Sequence, residues 1–192
     1  MDSSDALIQE GDIIFLSIPN ALYRKVASAT GSPTSHVGIV FKDTSSQWVV
    51  AESTIPLATY TPLPRFLKRS DDGWHCIRRM KGGLSSKNVA ALRSACDERM
   101  GALYHLGFRY ESRRQFCSKL VYDVYRSALG IEVGQLESFH DLLSRNPRES
   151  LAFWRLWFFG IIPWSRLTVT PASQMESPAL ETVFLSRYLS RN

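Results

Sequence analysis

The sequence predicts an α+β fold in which helices pack against an antiparallel sheet. Three observations carry this. A buried-type apolar run, GDIIFLSI (11–18), opens the chain, and two more, HVGIVF (36–41) and QWVVAES (47–53), flank the polar KDTSS and so form a hairpin. Two segments at 85–103 and 117–129 then repeat apolar residues every three or four positions, as amphipathic helices do. The order of strand, strand and helix suits helices laid on a sheet.

The first run, rich in Ile, reads as a mostly buried strand. NALYRKVASATG (20–31) reads as a short helix with Asn20 as N-cap and Gly31 in the left-handed position after its end. Alternation in the hairpin puts His36, Gly38 and Val40 on one face of the first strand, and Trp48, Val50 and Glu52 on one face of the second. The prolines of TIPLATYTPLPRF (54–66) predict an extended or looping segment, and WHCIRRM (74–80) a further strand. In the 85–103 helix, Val89, Leu92, Cys96, Met100 and Leu103 form the apolar stripe, which makes Cys96 a core residue. In the 117–129 helix the stripe is Leu120, Val121, Val124 and Ala128, and Gly130 ends it. QLESFHDLLSR (135–145) is helix-like, LAFWRLWFFGIIPW (151–164) is densely aromatic, and a polar, proline-containing tail follows. No repeat or low-complexity linker divides the chain, so 1–192 reads as one domain, with 131–192 a C-terminal extension packed on it.

At 44% hydrophobic and 21% charged residues, the composition is that of a globular protein with a sizeable core. A net charge of +5 favours weak attraction to anionic surfaces without naming a partner. Clusters such as Arg78-Arg79 and Arg113-Arg114 belong to no recognisable nucleic-acid motif, so no nucleic-acid partner is expected. Cys76, Cys96 and Cys117 are odd in number and widely spaced, which argues against a disulfide framework. With four dispersed histidines they offer no metal-ligand spacing, and no cofactor is expected. MDSSDALIQEGD is acidic and lacks a signal-peptide core, so the expected location is the cytoplasm, with non-classical export as the alternative.

Cys117 sits where a helix begins. Free backbone N–H groups and the positive end of the helix dipole stabilise a thiolate and a developing oxyanion there. A buried structural cysteine would look the same in sequence. A thiol nucleophile needs a base, and the base needs an orienting group. His36 opens an otherwise apolar strand. If residue 36 pairs opposite 52, Glu52 lies beside it on the same face, at the end of the apolar run WVVAE where a charge calls for a partner. Glu52 would hold one imidazole nitrogen and leave the other for Cys117. His75, in the 74–80 strand, His105, in a loop, and His140, on a distant helix, fit less well.

GDIIFL, SHVGIVF, YHLGF and FCSKLV together resemble the motifs of the NlpC-type papain-like cysteine hydrolases. Here the Gly-Asp and His segments precede the cysteine, an order that resembles the circularly permuted branch, which includes the lecithin:retinol acyltransferase-like proteins. The likeness is greatest to the bacterial YebB/YiiX-like permuted amidases, extending through YESRRQFCSKLVYDVY and into FWRLWFFGIIPWSRLTVTPAS, most of the chain. The resemblance implies a permuted papain-like fold with the nucleophile at a helix N-terminus, Cys117 as nucleophile, His36 as base, Glu52 as orienting residue and Tyr104 as an oxyanion-binding residue. His105 stands where an Asp often follows that tyrosine, and Gly107-Phe108 where the family has Gly-Gly.

The expected activity is that of a cysteine amidase or peptidase-like hydrolase acting on an amide or ester acyl bond through a thioester. The substrate would be a small molecule, a peptide or a lipid. Acyl transfer to lipid or acyl-amide substrates is one alternative, and a non-catalytic binding module is the other. Trp154, Trp157, Phe158 and Phe159, near Arg155 and Arg166, suggest peripheral membrane contact; packing on the sheet is the competing role. The oligomeric state is left open.

Overall fold

The computed structural model describes residues 7–145 and 151–186. Its centre is a six-stranded, wholly antiparallel sheet in the order β4-β3-β2-β1-β5-β8. The strands are β1 (Ile13–Leu16), β2 (His36–Lys42), β3 (Trp48–Ser53), β4 (Ala58–Pro62), β5 (His75–Met80) and β8 (Leu180–Leu185). Helix α1 (Ala21–Thr30) follows β1, and α2 (Leu63–Leu67) follows β4. Then come α3 (Ser86–Asp97), α4 (Cys117–Leu129), α5 (Phe139–Ser144), α6 (Ala152–Trp157) and α7 (Pro171–Met175). A small pair, β6 (Glu137–Ser138) and β7 (Leu167–Thr168), lies apart from the main sheet.

Strand alternation sorts the core into two layers. Val37, Ile39 and Phe41 face α3 and α4, where they meet Leu92, Cys96, Leu120, Val121 and Val124. Val40, Val50 and Ile77 face the other way, onto Tyr23 of α1 and Leu63 and Phe66 of α2. Leu120, Val121 and Val124 are fully buried, and each stabilises the seating of α4 by roughly 1.5–3 kcal/mol. Gly130, at φ 68°, ends α4 as expected. Asn20 accepts a hydrogen bond from the Tyr23 N–H, and Gly31 at φ 62° closes α1.

Several boundaries differ from the sequence expectation. α3 ends at Asp97, and the chain then turns through Gly101 at φ 79°. Met100 still packs on the core, but Leu103 is exposed and bridges to Leu57 instead of extending a stripe. The proline-rich 54–66 stretch contains β4 and the start of α2. β4 is made by its ladder with β3, and proline is tolerated at the start of α2, where no backbone N–H is needed. The helix-like 135–145 segment shortens to α5, capped by Ser138. The tail supplies β8, which pairs with β5. No helix among the described residues is long and apolar enough to cross a membrane.

Candidate active site

Cys117 is the first residue of α4 and is buried beside the sheet. Its neighbour Phe116 has extended backbone, φ −138° and ψ 163°, and no side chain caps the helix. The first-turn N–H groups are therefore available to a ligand. This turn is held from the C-terminal side. The Ser118 hydroxyl donates to the Val169 carbonyl at 2.7 Å, and Gln174 Nε2 donates to the Ser118 carbonyl at 2.8 Å.

His36 and Glu52 meet, but not as direct cross-strand partners. Ile39 pairs with Ala51 and Val40 with Val50, a register that sets Gly38, not His36, opposite Glu52. The two residues are diagonal neighbours, and Gly38, which has no side chain, lies opposite Glu52. His36 Nε2 lies 2.5 Å from a Glu52 oxygen, with both side chains fully buried. A Cβ on Gly38 would sit 2.4 Å from a Val50 methyl and 2.8 Å from the Ala51 carbonyl oxygen. The Gly38→Ala variant is therefore expected to lose about 1–3 kcal/mol of stability, read as a lower urea midpoint at unchanged m value. It should also lose activity, because relief requires β3 to move and Glu52 with it.

Arg69, just past α2, completes the carboxylate's surroundings. Its Nη2 lies 2.8 and 2.7 Å from the two Glu52 oxygens. The guanidinium stacks over Phe66 at 5.0 Å, and Phe66 in turn lies against the His36 ring at 5.6 Å. Tyr23 meets the other side of His36 edge-on at 5.5 Å. Burial alone would raise the Glu52 pKa, but His36 and Arg69 outweigh it and hold the group at about 2. Burial alone would lower the His36 pKa; Cys117 and Glu52 outweigh that and push it up to about 9. His36 Nδ1 has no hydrogen bond in this arrangement, and Cys117 is the thiol that acts on the ring. One nitrogen is thus tied to an acid and the other is left for sulfur.

Tyr104 is brought to the site by main-chain contacts. It bridges to Gln115, two residues before Cys117, and its N–H donates to the Pro56 carbonyl at 2.9 Å. Burial, then the charge of Cys117, raise the Tyr104 pKa well above its ordinary value, so the phenol keeps its proton and can donate. Its hydroxyl interacts with both Cys117 and the Tyr23 hydroxyl.

A mostly apolar cavity of about 30 Å³ adjoins the thiol, with walls that include Leu22, Val26, Phe108, Phe116, Phe139 and Trp154. It has room for about two water molecules. Trp154 is buried there, so it cannot contact a membrane as the sequence suggested; Phe159 is fully exposed. The other histidines lie elsewhere. His75 bonds the Gly73 carbonyl, His105 accepts from the Gly107 N–H, and His140 is exposed near Asp141. Burial pushes the thiol of Cys76 up to about 11 and that of Cys96 up to about 12, which leaves both poor nucleophiles at neutral pH.

Tyr23 and Arg69 escaped the sequence reading. Glu52, a charge ending an apolar run, did signal that a partner was needed, and His36 was the partner expected; nothing in the sequence pointed to Arg69 as a second one.

A family model described as permuted papain-like amidase enzyme, YaeF/YiiX, C92 family, matches residues 7–184. The chain is 29% identical over 175 residues to the uncharacterized protein YiiX of Escherichia coli (strain K12), across 91% of this chain and 85% of that protein. It is similar to the crystal structure of metalloprotein yiiX from Escherichia coli O157:H7, with a TM-score of 0.82 and 28% identity over 93% of this chain and 97% of that one. Among the described residues, no three His, Cys, Asp or Glu side chains group as metal ligands would.

Proposed function

The chain belongs to the permuted papain-like amidase family and is a cysteine hydrolase, and from that premise we propose an amidase with Cys117 as nucleophile, His36 as base and Glu52 as orienting acid. The observation that carries the proposal is the division of labour on the His36 ring. Nε2 is held by Glu52, and Nδ1 is free beside the helix N-terminus that bears the thiol.

His36 Nδ1 takes the thiol proton, a transfer favoured by the raised proton affinity of the ring. Sulfur attacks the acyl carbon, and the carbonyl oxygen becomes an oxyanion. Tyr104 and the uncapped N–H groups of α4 face that charge, with Tyr23 supporting the Tyr104 hydroxyl. Collapse breaks the C–N bond as the imidazolium returns its proton to the leaving amine. Water, deprotonated by His36, then cleaves the thioester and frees the thiol.

The cavity supports an apolar acyl group, since its walls offer Leu, Val and Phe side chains. At its present volume, anything longer than a short acyl group needs those side chains to part. A second reading, transfer to an acceptor other than water, differs only in the last step. It is favoured by the shelter of Cys117, which is 4% exposed, because a shielded thioester survives longer.

The test uses acyl p-nitrophenyl esters of increasing chain length with intact-mass and peptide mapping. A mass gain equal to the acyl group is expected on Cys117 and is absent from Cys117→Ala. Turnover is expected to rise by about fourfold per added methylene until the cavity is full. Undiminished turnover in folded Cys117→Ala would refute the assignment of the nucleophile.

A further inference from the structure

The end of α6 and the turn after it carry large apolar side chains that no described residue covers. Leu156 is 81% exposed, Phe159 97% and Ile161 82%. Phe159 is also held at φ 53°, followed by Gly160 at φ 99°. A bulky residue in the left-handed region is unfavourable by local conformation. Core packing does not compensate here, since the ring touches almost nothing. Both features make sense if the side chain is presented outward for contact.

The support beneath is firm. Phe153 and Trp157 stack at 5.7 Å, and Trp157 Nε1 donates to the Leu106 carbonyl at 2.9 Å. Arg166 covers Phe158 and donates to the Gly107 carbonyl at 2.8 Å. The flanks are basic. Arg155 is exposed on α6 itself, and exposed Arg109 and Arg114 join Arg166 as electrostatic neighbours of His105, next to exposed Leu106. One acid, Glu111, approaches Arg109, at 3.6 Å.

We propose that this turn is a membrane-docking knuckle, inserting Leu156, Phe159 and Ile161 at the headgroup boundary of an anionic bilayer while Arg109, Arg114 and Arg155 meet the lipid phosphates. Large apolar tips ringed by arginine are the combination that binds such an interface, and the arginines select anionic over neutral lipid. Docking would also orient the catalytic cavity, because α6 carries both the knuckle's Leu156 and the cavity-lining Trp154. This inference does not depend on which bond the enzyme cuts.

Sedimentation of the full chain with vesicles of phosphatidylcholine, with and without phosphatidylglycerol, tests it at low salt. The wild type is expected to bind the anionic vesicles and to release in high salt. Phe159→Gly with Ile161→Ser should weaken binding by about tenfold or more. Its melting temperature should be unchanged or higher, because glycine relieves the left-handed backbone. Arg109→Gln with Arg114→Gln should weaken binding to anionic vesicles by about tenfold and leave neutral vesicles unaffected. No wild-type binding, or full binding by the Phe159 and Ile161 variant, would overturn the proposal. So would a dimer in size-exclusion chromatography that this variant splits, since the knuckle would then belong to a second copy of the chain.

Discussion

Replacing His36 with Gln is expected to lower kcat/KM by about a thousandfold or more, because a positioned base supplies about 10²–10⁴ and, in the proposed mechanism, the same ring also protonates the leaving amine. Gln keeps much of the volume between Tyr23 and Phe66 and can still bond Glu52, so the fold should survive. His36→Ala removes that packing as well and should be less stable, with Glu52 left to Arg69 alone. Steady-state kinetics with circular dichroism on both variants separates the two effects. A folded His36→Gln enzyme within tenfold of wild-type activity would remove His36 from the mechanism.

The second large effect concerns the Glu52–Arg69 pair. Glu52→Gln takes away the charge that orients His36 and helps retain its proton, and an orienting acid of this kind contributes up to about 10⁴ in rate. The wild-type rate should fall as pH rises through about 9, where His36 loses the proton that the proposed mechanism passes to the leaving group. In Glu52→Gln that alkaline limb should move to lower pH. Arg69→Met leaves the carboxylate facing His36 alone, and Arg69→Lys should restore part of the loss. A purely structural arginine would lower the melting temperature without altering the pH profile.

Stability follows the same two groups. His36 is raised from 6.5 to about 9, so its contribution is complete below about pH 6.5 and is lost as pH rises through about 9. Glu52 is lowered from 4.5 to about 2, so its contribution is complete above about pH 4.5 and is lost as pH falls toward 2. The melting-temperature gap between wild type and Glu52→Gln should therefore be widest between about pH 4.5 and 6.5 and should narrow on either side.

The strands at 13–16 and 36–42, the helix at 117–129 and the caps Asn20, Gly31 and Gly130 could be read from the sequence because each is specified by its own neighbours. Period-two or period-3.6 patterning and a capping residue are local signals. β4 could be read only as extended or looping, because Pro56, Pro62 and Pro64 in and around it resemble a loop and the hydrogen bonds offered by β3 make it a strand. The short helices of the C-terminal third were blurred in the same way. Their aromatic residues report apolarity but not direction, so Trp154 and Phe159 looked alike although one is buried and the other almost bare.

The sequence by itself determined the chemical types at the site: a cysteine at a helix start, a histidine at a strand start, and a carboxylate closing an apolar run on the same sheet face. Only the tertiary structure decided how they join. Strand register put Gly38 where His36 had been expected, opposite Glu52, and chain reversals far apart in sequence delivered Tyr23, Arg69 and Tyr104. Side-chain type is a local property, whereas proximity is created by closing loops of tens of residues, and packing alone selects which closure holds.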